Sequence, residues 1–160
     1  MKGRTVFSCV VGLHGALAAA ALLWALHVRF GDPLTAALCP AWDSPWEAGK
    51  GAFFPLLAAA PVMWYLGRGG SRSGLCAMAM AGSGAAMGLR LAGVPAAAAM
   101  GLAMAAGAAL YGGALRRMRE RAGWAAAVMA LAAAYILLTL LRPGGALFLP
   151  ADTAAGTIGF

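Results

Sequence analysis

The sequence predicts an all-α fold, a polytopic helical membrane protein with five transmembrane helices, its N-terminus inside and its C-terminus outside. Two observations carry this. Of 160 residues, 62% are hydrophobic and 11% charged, with a mean hydropathy of +0.80, whereas a soluble domain runs at roughly 45–50% apolar and about 25% charged. The apolar residues also fall in blocks of spanning length, separated by short segments that hold nearly all the charge. This excludes a soluble enzyme, a disordered tail and a DNA-binding module. The excess of 12 Lys+Arg over 5 Asp+Glu is topology information rather than affinity for nucleic acid.

Span 1 covers about 5–28. Its apolar run, Val6 to Val28, is interrupted only by His14 and His27; it exceeds the roughly 7–15 residues of a signal-peptide core and is expected to be retained. An outer loop, 29–50, follows. Within it Asp32-Pro33 sets an N-cap before proline and predicts two helical turns from Pro33 to Cys39, stopped by Pro40. Ser44-Pro45-Trp46-Glu47 is a capping box, Ser44 accepting from the N3 amide and Glu47 reaching back to the amide of Ser44. It opens span 2, 45–67, in which Pro61 predicts a kink. From Gly74 to Leu115 there is one charge, Arg90, and the Gly93-Val94-Pro95 turn divides the stretch into span 3, 74–91, and span 4, 95–115. Span 5, about 123–141, ends at Arg142-Pro143. Residues 1–145 form one bundle and 146–160 a loosely ordered periplasmic tail, whose Ala146–Leu149 patch touches the interface. Four spans, with the 74–115 stretch miscounted or span 2 re-entrant, is the alternative and would move the C-terminus inside.

Orientation follows from the basic residues. Five spans put eight of them (Lys2, Arg4, Arg68, Arg72, Arg116, Arg117, Arg119, Arg121) on one side and four (Arg29, Lys50, Arg90, Arg142) on the other, so the first side is cytoplasmic. Trp24, Trp42 and Trp46 then mark the outer belt, and Trp64, Tyr65, Tyr111 and Trp124 the inner one. Arg90 is expected to snorkel to headgroups. Heavy use of Ala, Gly and Arg fits a GC-rich bacterial genome, hence a bacterial inner membrane.

Lipid gives helices no hydrophobic reason to associate, so small residues that let backbones approach must do it. Span 3 carries Gly84, Gly88 and Ala92, and span 4 carries Ala97, Gly101, Ala105, Ala109 and Gly113, at four-residue spacing. These ridges are expected to pack spans 3 and 4 together; the other reading is a surface for another subunit.

Several chemistries lack their residues. With Glu47 assigned to the cap of span 2, no carboxylate falls inside a predicted span, which argues against proton relays, cation-coupled pumps and aspartyl proteolysis. His14 and His27, the only histidines, lie about 20 Å apart along one helix and point about 140° apart, so they cannot clasp one haem within a single chain. No Ser/His/Asp set is visible, and Cys9, Cys39 and Cys76 form neither a disulfide framework nor a zinc spacing. No metal site is expected; Met100 and Met104, one turn apart, are the pair a soft metal ion would use, and ordinary packing is the other use of methionine.

What remains is the outer interface, with Trp24, His27, Arg29, Trp42, Asp43, Trp46 and Glu47. Its plain reading is an amphipathic loop of aromatic anchors and helix caps. Its functional reading is a ligand or partner surface where His27 and Arg29 donate to a quinone carbonyl or a lipid phosphate and Trp24 forms a wall. The expected function is a non-catalytic subunit or anchor of a larger membrane complex. It requires no cofactor, admits quinone or lipid, and has lipids and other membrane subunits or copies of itself as partners, without nucleic acid. The first alternative is a small-solute or metal-ion permease working as an oligomer or with a partner; the second is an enzyme acting at the outer interface through Asp43, Glu47 or His27.

Overall fold

The computed structural model describes residues 2–40, 43–141 and 147–148. Among them are six α-helices: α1 (Lys2–Phe30), α2 (Pro33–Leu38), α3 (Pro45–Leu66), α4 (Arg72–Leu91), α5 (Ala96–Gly113) and α6 (Ala122–Leu141), with one 3-10 turn, Leu115–Arg117, before α6. Four of them, α1, α4, α5 and α6, are long and apolar enough to cross a membrane, which suggests a multi-pass membrane protein.

The helix starts follow local chemistry. The Asp32 carboxylate accepts from the Thr35 amide at 2.9 Å, capping α2. Ser44 Oγ accepts from the Glu47 amide at 3.2 Å and caps α3, with Pro45 in the first turn. Ser71 Oγ accepts from the Gly74 amide at 2.9 Å and caps α4, a start the sequence reading placed two residues later. Gly93, at φ +86°, makes the hairpin turn between α4 and α5.

α3 is the centre of the bundle. It packs against α1, α4 and α5, and its buried residues run from Pro45 to Met63, continuing through Pro55. Leu56, wholly buried, reaches between α4 and α5: a Cβ on Gly82 would strike its Cδ1, and one on Gly107 would lie 3.3 Å from it. α1 meets α3 through Ser8, Gly12 and Ala16, all buried, and Gly12 admits the side chain of Met63.

The small-residue ridges need correction. Gly84, Gly88, Ala92, Ala97, Ala105, Ala109 and Gly113 are exposed and Gly101 half-buried, and a Cβ on any of the four glycines would meet nothing within 4 Å. The faces that bury instead carry Met78, Gly82, Ala86 and Arg90 on α4, and Ala99, Ala103, Gly107 and Tyr111 on α5. Each is offset by two residues from the expected ridge, about 200° around the helix. Alanine-rich helices carry small residues on every face, and the larger Met78 and Tyr111 go inward because they fill volume.

The long helices alternate in direction, so their ends meet in two clusters. At the end remote from α2, Arg116 ties three elements together: its guanidinium bonds Thr5 Oγ1 and the Gly67 carbonyl, and its carbonyl accepts from the Ser71 amide at 2.9 Å. Glu120 takes the amides of Arg72 and Ser73 at 2.6 and 3.1 Å and the Ser73 hydroxyl at 2.9 Å. The 116–121 segment, whose arginines were read from sequence as a topology signal, forms a clamp on the α4 N-terminus.

Those backbone donors stabilise the charged carboxylate and hold the pKa of Glu120 below its ordinary value of 4.5. The clamp therefore contributes fully above pH 4.5 and is lost as the pH falls through the lowered folded value. Thermal unfolding in detergent is expected to show a Tm that drops on acidification in this window, and a smaller drop for Glu120→Gln; parallel profiles would show that the clamp adds nothing.

Candidate functional site

The opposite end of the bundle, where α2 lies, concentrates the buried polar groups. Lys50 is wholly buried one turn beyond Glu47 on α3. Its Nζ lies 2.7 Å from Glu47 Oε2 and donates to the Ala36 carbonyl at 2.6 Å and to Thr139 Oγ1 at 3.3 Å. An ammonium has three N–H donors, and all three are engaged. Thr139 in turn donates to Glu47 Oε1 at 3.4 Å. The ring draws on α2, α3 and α6, so one ion pair holds three elements in register.

Below it lies an aromatic layer. Trp46 packs tilted against Tyr135 at 4.5 Å between ring centroids and against Phe148 at 5.3 Å, and Phe53 meets Tyr135 at 5.4 Å. The Tyr135 hydroxyl bonds Ser83 Oγ and reaches Met87 Sδ at 3.5 Å. Gly49 permits this closeness, since a Cβ there would lie 2.6 Å from the Tyr135 oxygen.

Beside this layer, between α1, α3 and α5, is a cavity of about 510 Å3. Leu23 and Trp24 of α1, Leu38 of α2, Pro55 of α3 and Ala97 and Met100 of α5 form apolar walls, and Asp43 stands at its edge. Asp43 Oδ2 accepts from Arg90 Nη2 at 2.7 Å, and Arg90 Nη1 donates to the Val94 carbonyl at 3.4 Å.

The expected outer-interface residues divide. Trp24 and Asp43 line the cavity. Trp46 and Glu47 are 8% and 2% exposed, so Trp46 is no belt anchor. The Glu47 carboxylate meets Lys50 and Thr139, and its expected reach back to the Ser44 amide is not among the hydrogen bonds of the described residues. Tyr111, 1% exposed, likewise leaves the inner belt. His27 Nδ1 lies 3.3 Å from Thr35 Oγ1, and Arg29 is exposed with its guanidinium 5.9 Å from the Phe30 centroid; neither lines the cavity. Trp42 lies outside the described residues. Arg90 does not snorkel: it is 5% exposed, turned to Asp43. His14 sits exposed on α1 with Nδ1 2.8 Å from the Val10 carbonyl of its own helix. Met104 is core, and Met100 lies over Gly51.

Lys50, Thr139, Ser83 and Tyr135 were missed as site residues. The i, i+3 spacing of Glu47 and Lys50 is a local signal for Lys50; Thr139, Ser83 and Tyr135 join through contacts distant in sequence. Among the described residues no group of three or more His, Cys, Asp or Glu could hold a metal ion. Comparison with protein-family models, curated proteins and solved structures finds no match.

Proposed function

We propose that this chain is a non-catalytic membrane subunit that crosses a bacterial inner membrane five times, N-terminus inside, and docks onto another membrane subunit through the outward ridges of α4 and α5. The observation that carries the reading is the open space over Gly84, Gly88, Gly101 and Gly113. Glycine weakens a helix by roughly 0.5–1 kcal/mol relative to alanine, and close approach of another helix offsets that cost. The five-span path rests on α3, whose 22 residues give about 33 Å at 1.5 Å per residue. Its polar first turns are shielded by α2 and α6, so it can share the membrane with its neighbours despite Glu47 and Lys50.

The test is co-purification in mild detergent with an affinity-tagged chain, read by native mass spectrometry. A stoichiometric membrane partner or defined oligomer is expected, released by Gly84→Leu with Gly88→Leu or by Ala105→Leu with Ala109→Leu at unchanged thermal stability. A chain that remains alone, or a complex indifferent to both pairs, defeats the reading. Reporters fused to the two ends are expected in opposite compartments.

A further inference from the structure

We infer that the cavity between α1, α3 and α5 binds a lipophile with a neutral, hydroxyl-bearing head, which donates a hydrogen bond to Asp43. This does not rest on the docking reading. The site has the size of a small-molecule pocket, about 510 Å3 against a usual range of roughly 300–1,000 Å3. Its walls are apolar, so the ligand brings an apolar body. Trp24 lines it while 55% exposed, so the space reaches the bundle surface and a long tail can continue between the helices.

The head is set by Asp43. The Arg90 guanidinium neutralises the carboxylate through Oδ2, so the edge of the cavity calls for neither a cation nor an anion. The Asp43 side chain is 54% exposed and its Oδ1 has no protein partner among the described residues, so a ligand's donor takes the place of water there; a carboxylate oxygen accepts hydrogen bonds only. A head that offers a donor fits; one that offers only acceptors, such as an oxidised quinone, meets a lone pair with a lone pair. Arg90 is the positioning residue: 5% exposed and bonded to both Asp43 and Val94, it fixes the carboxylate's orientation. A long-chain alcohol, an isoprenoid alcohol and the reduced, dihydroxy form of a quinone share this chemistry.

The full chain, exchanged from detergent into amphipol, is titrated with 1-hexadecanol, geranylgeraniol and decylubiquinol, and bound ligand is counted by native mass spectrometry. The controls are the methyl ethers of the two alcohols and oxidised decylubiquinone. At least one hydroxyl compound is expected to bind ten-fold or more tighter than its control, and which one does so identifies the source. Ala97→Trp, which fills the cavity from an exposed position, is expected to abolish binding, and Asp43→Ala to reduce it to the level of the ether. Equal binding of alcohol and ether, retention of none of the three by the native chain, or binding indifferent to Ala97→Trp overturns the assignment. If Asp43→Ala fails to fold, the comparison of alcohol with ether on the native chain still decides it.

Discussion

Replacing Lys50 with methionine is expected to destabilise the folded chain by about 3–5 kcal/mol, the cost of removing one partner of an enclosed ion pair. Methionine matches the length of the lysine stem but leaves the Glu47 carboxylate, 2% exposed, without its cation, and leaves the Ala36 carbonyl and Thr139 hydroxyl without the ammonium that now joins them. Glu47→Gln alone strands the lysine instead. The double variant Glu47→Leu with Lys50→Met removes both charges and is expected to recover most of the loss, because an apolar pair of similar volume often replaces a buried ion pair at little cost. Unfolding of the purified chain in mixed micelles, followed by circular dichroism, measures all three. A single Lys50→Met variant as stable as the native chain would show that the pair is dispensable.

The second large effect is expected at Gly74, where alanine should prevent recovery of folded protein or cost more than about 4 kcal/mol, a size reached only by severe overpacking or loss of a buried network. A Cβ at this position would overlap the Leu115 carbonyl oxygen. That atom is backbone, and it is itself held, accepting from the Met118 amide at 3.0 Å. To make room, α4 must move away from the 3-10 turn, which pulls on the Ser71–Arg116 bond and the Glu120 clamp together. Gly84, ten residues on in the same helix, is the contrast. A Cβ there meets nothing within 4 Å, so Gly84→Ala is expected to be neutral or to stabilise by up to about 1 kcal/mol through helix propensity. Yield of monodisperse protein in detergent and its Tm separate the two; equal behaviour of the two variants would refute the close approach at Gly74.

Much of the helical layout was legible, because breaks in a membrane chain are punctuated by local chemistry. Asp32 and Ser44 cap the helices they were expected to cap, and Gly93 turns the hairpin where its neighbours Val94 and Pro95 said it would. Which face of each helix turns inward was not legible. In water, polarity tells a buried face from an exposed one; here both are apolar, and Ala97 and Ala99 carry the same side chain while only Ala99 is buried. The ridge Ser8, Gly12, Ala16 on α1 has the same spacing as the ridge on α5 that stays outside, and only the volumes of Met63 and Leu56 across the way decide between them. The candidate site was half legible. Trp24 and Asp43 reached it, but His27 and Arg29 are turned to Thr35 and Phe30. Arg90 joined through Asp43, 47 residues away, and Thr139 entered only through partners distant in sequence, Lys50 lying 89 residues away.

That separation bears on how the chain is made. Helices leave a ribosome in order, and the third α-helix emerges well before the last; at roughly 5–20 residues per second, the 89 residues between Lys50 and Thr139 correspond to roughly 5–20 seconds of synthesis. During that interval the lysine has its glutamate but not the hydroxyl that closes the ring. A charged residue within a nascent hydrophobic segment is costly to release into lipid alone, so, if the central helix crosses the membrane as proposed, it is expected to stay in the insertion machinery until α6 arrives. A truncated product ending before Thr139 is then the form that quality-control proteases are expected to remove.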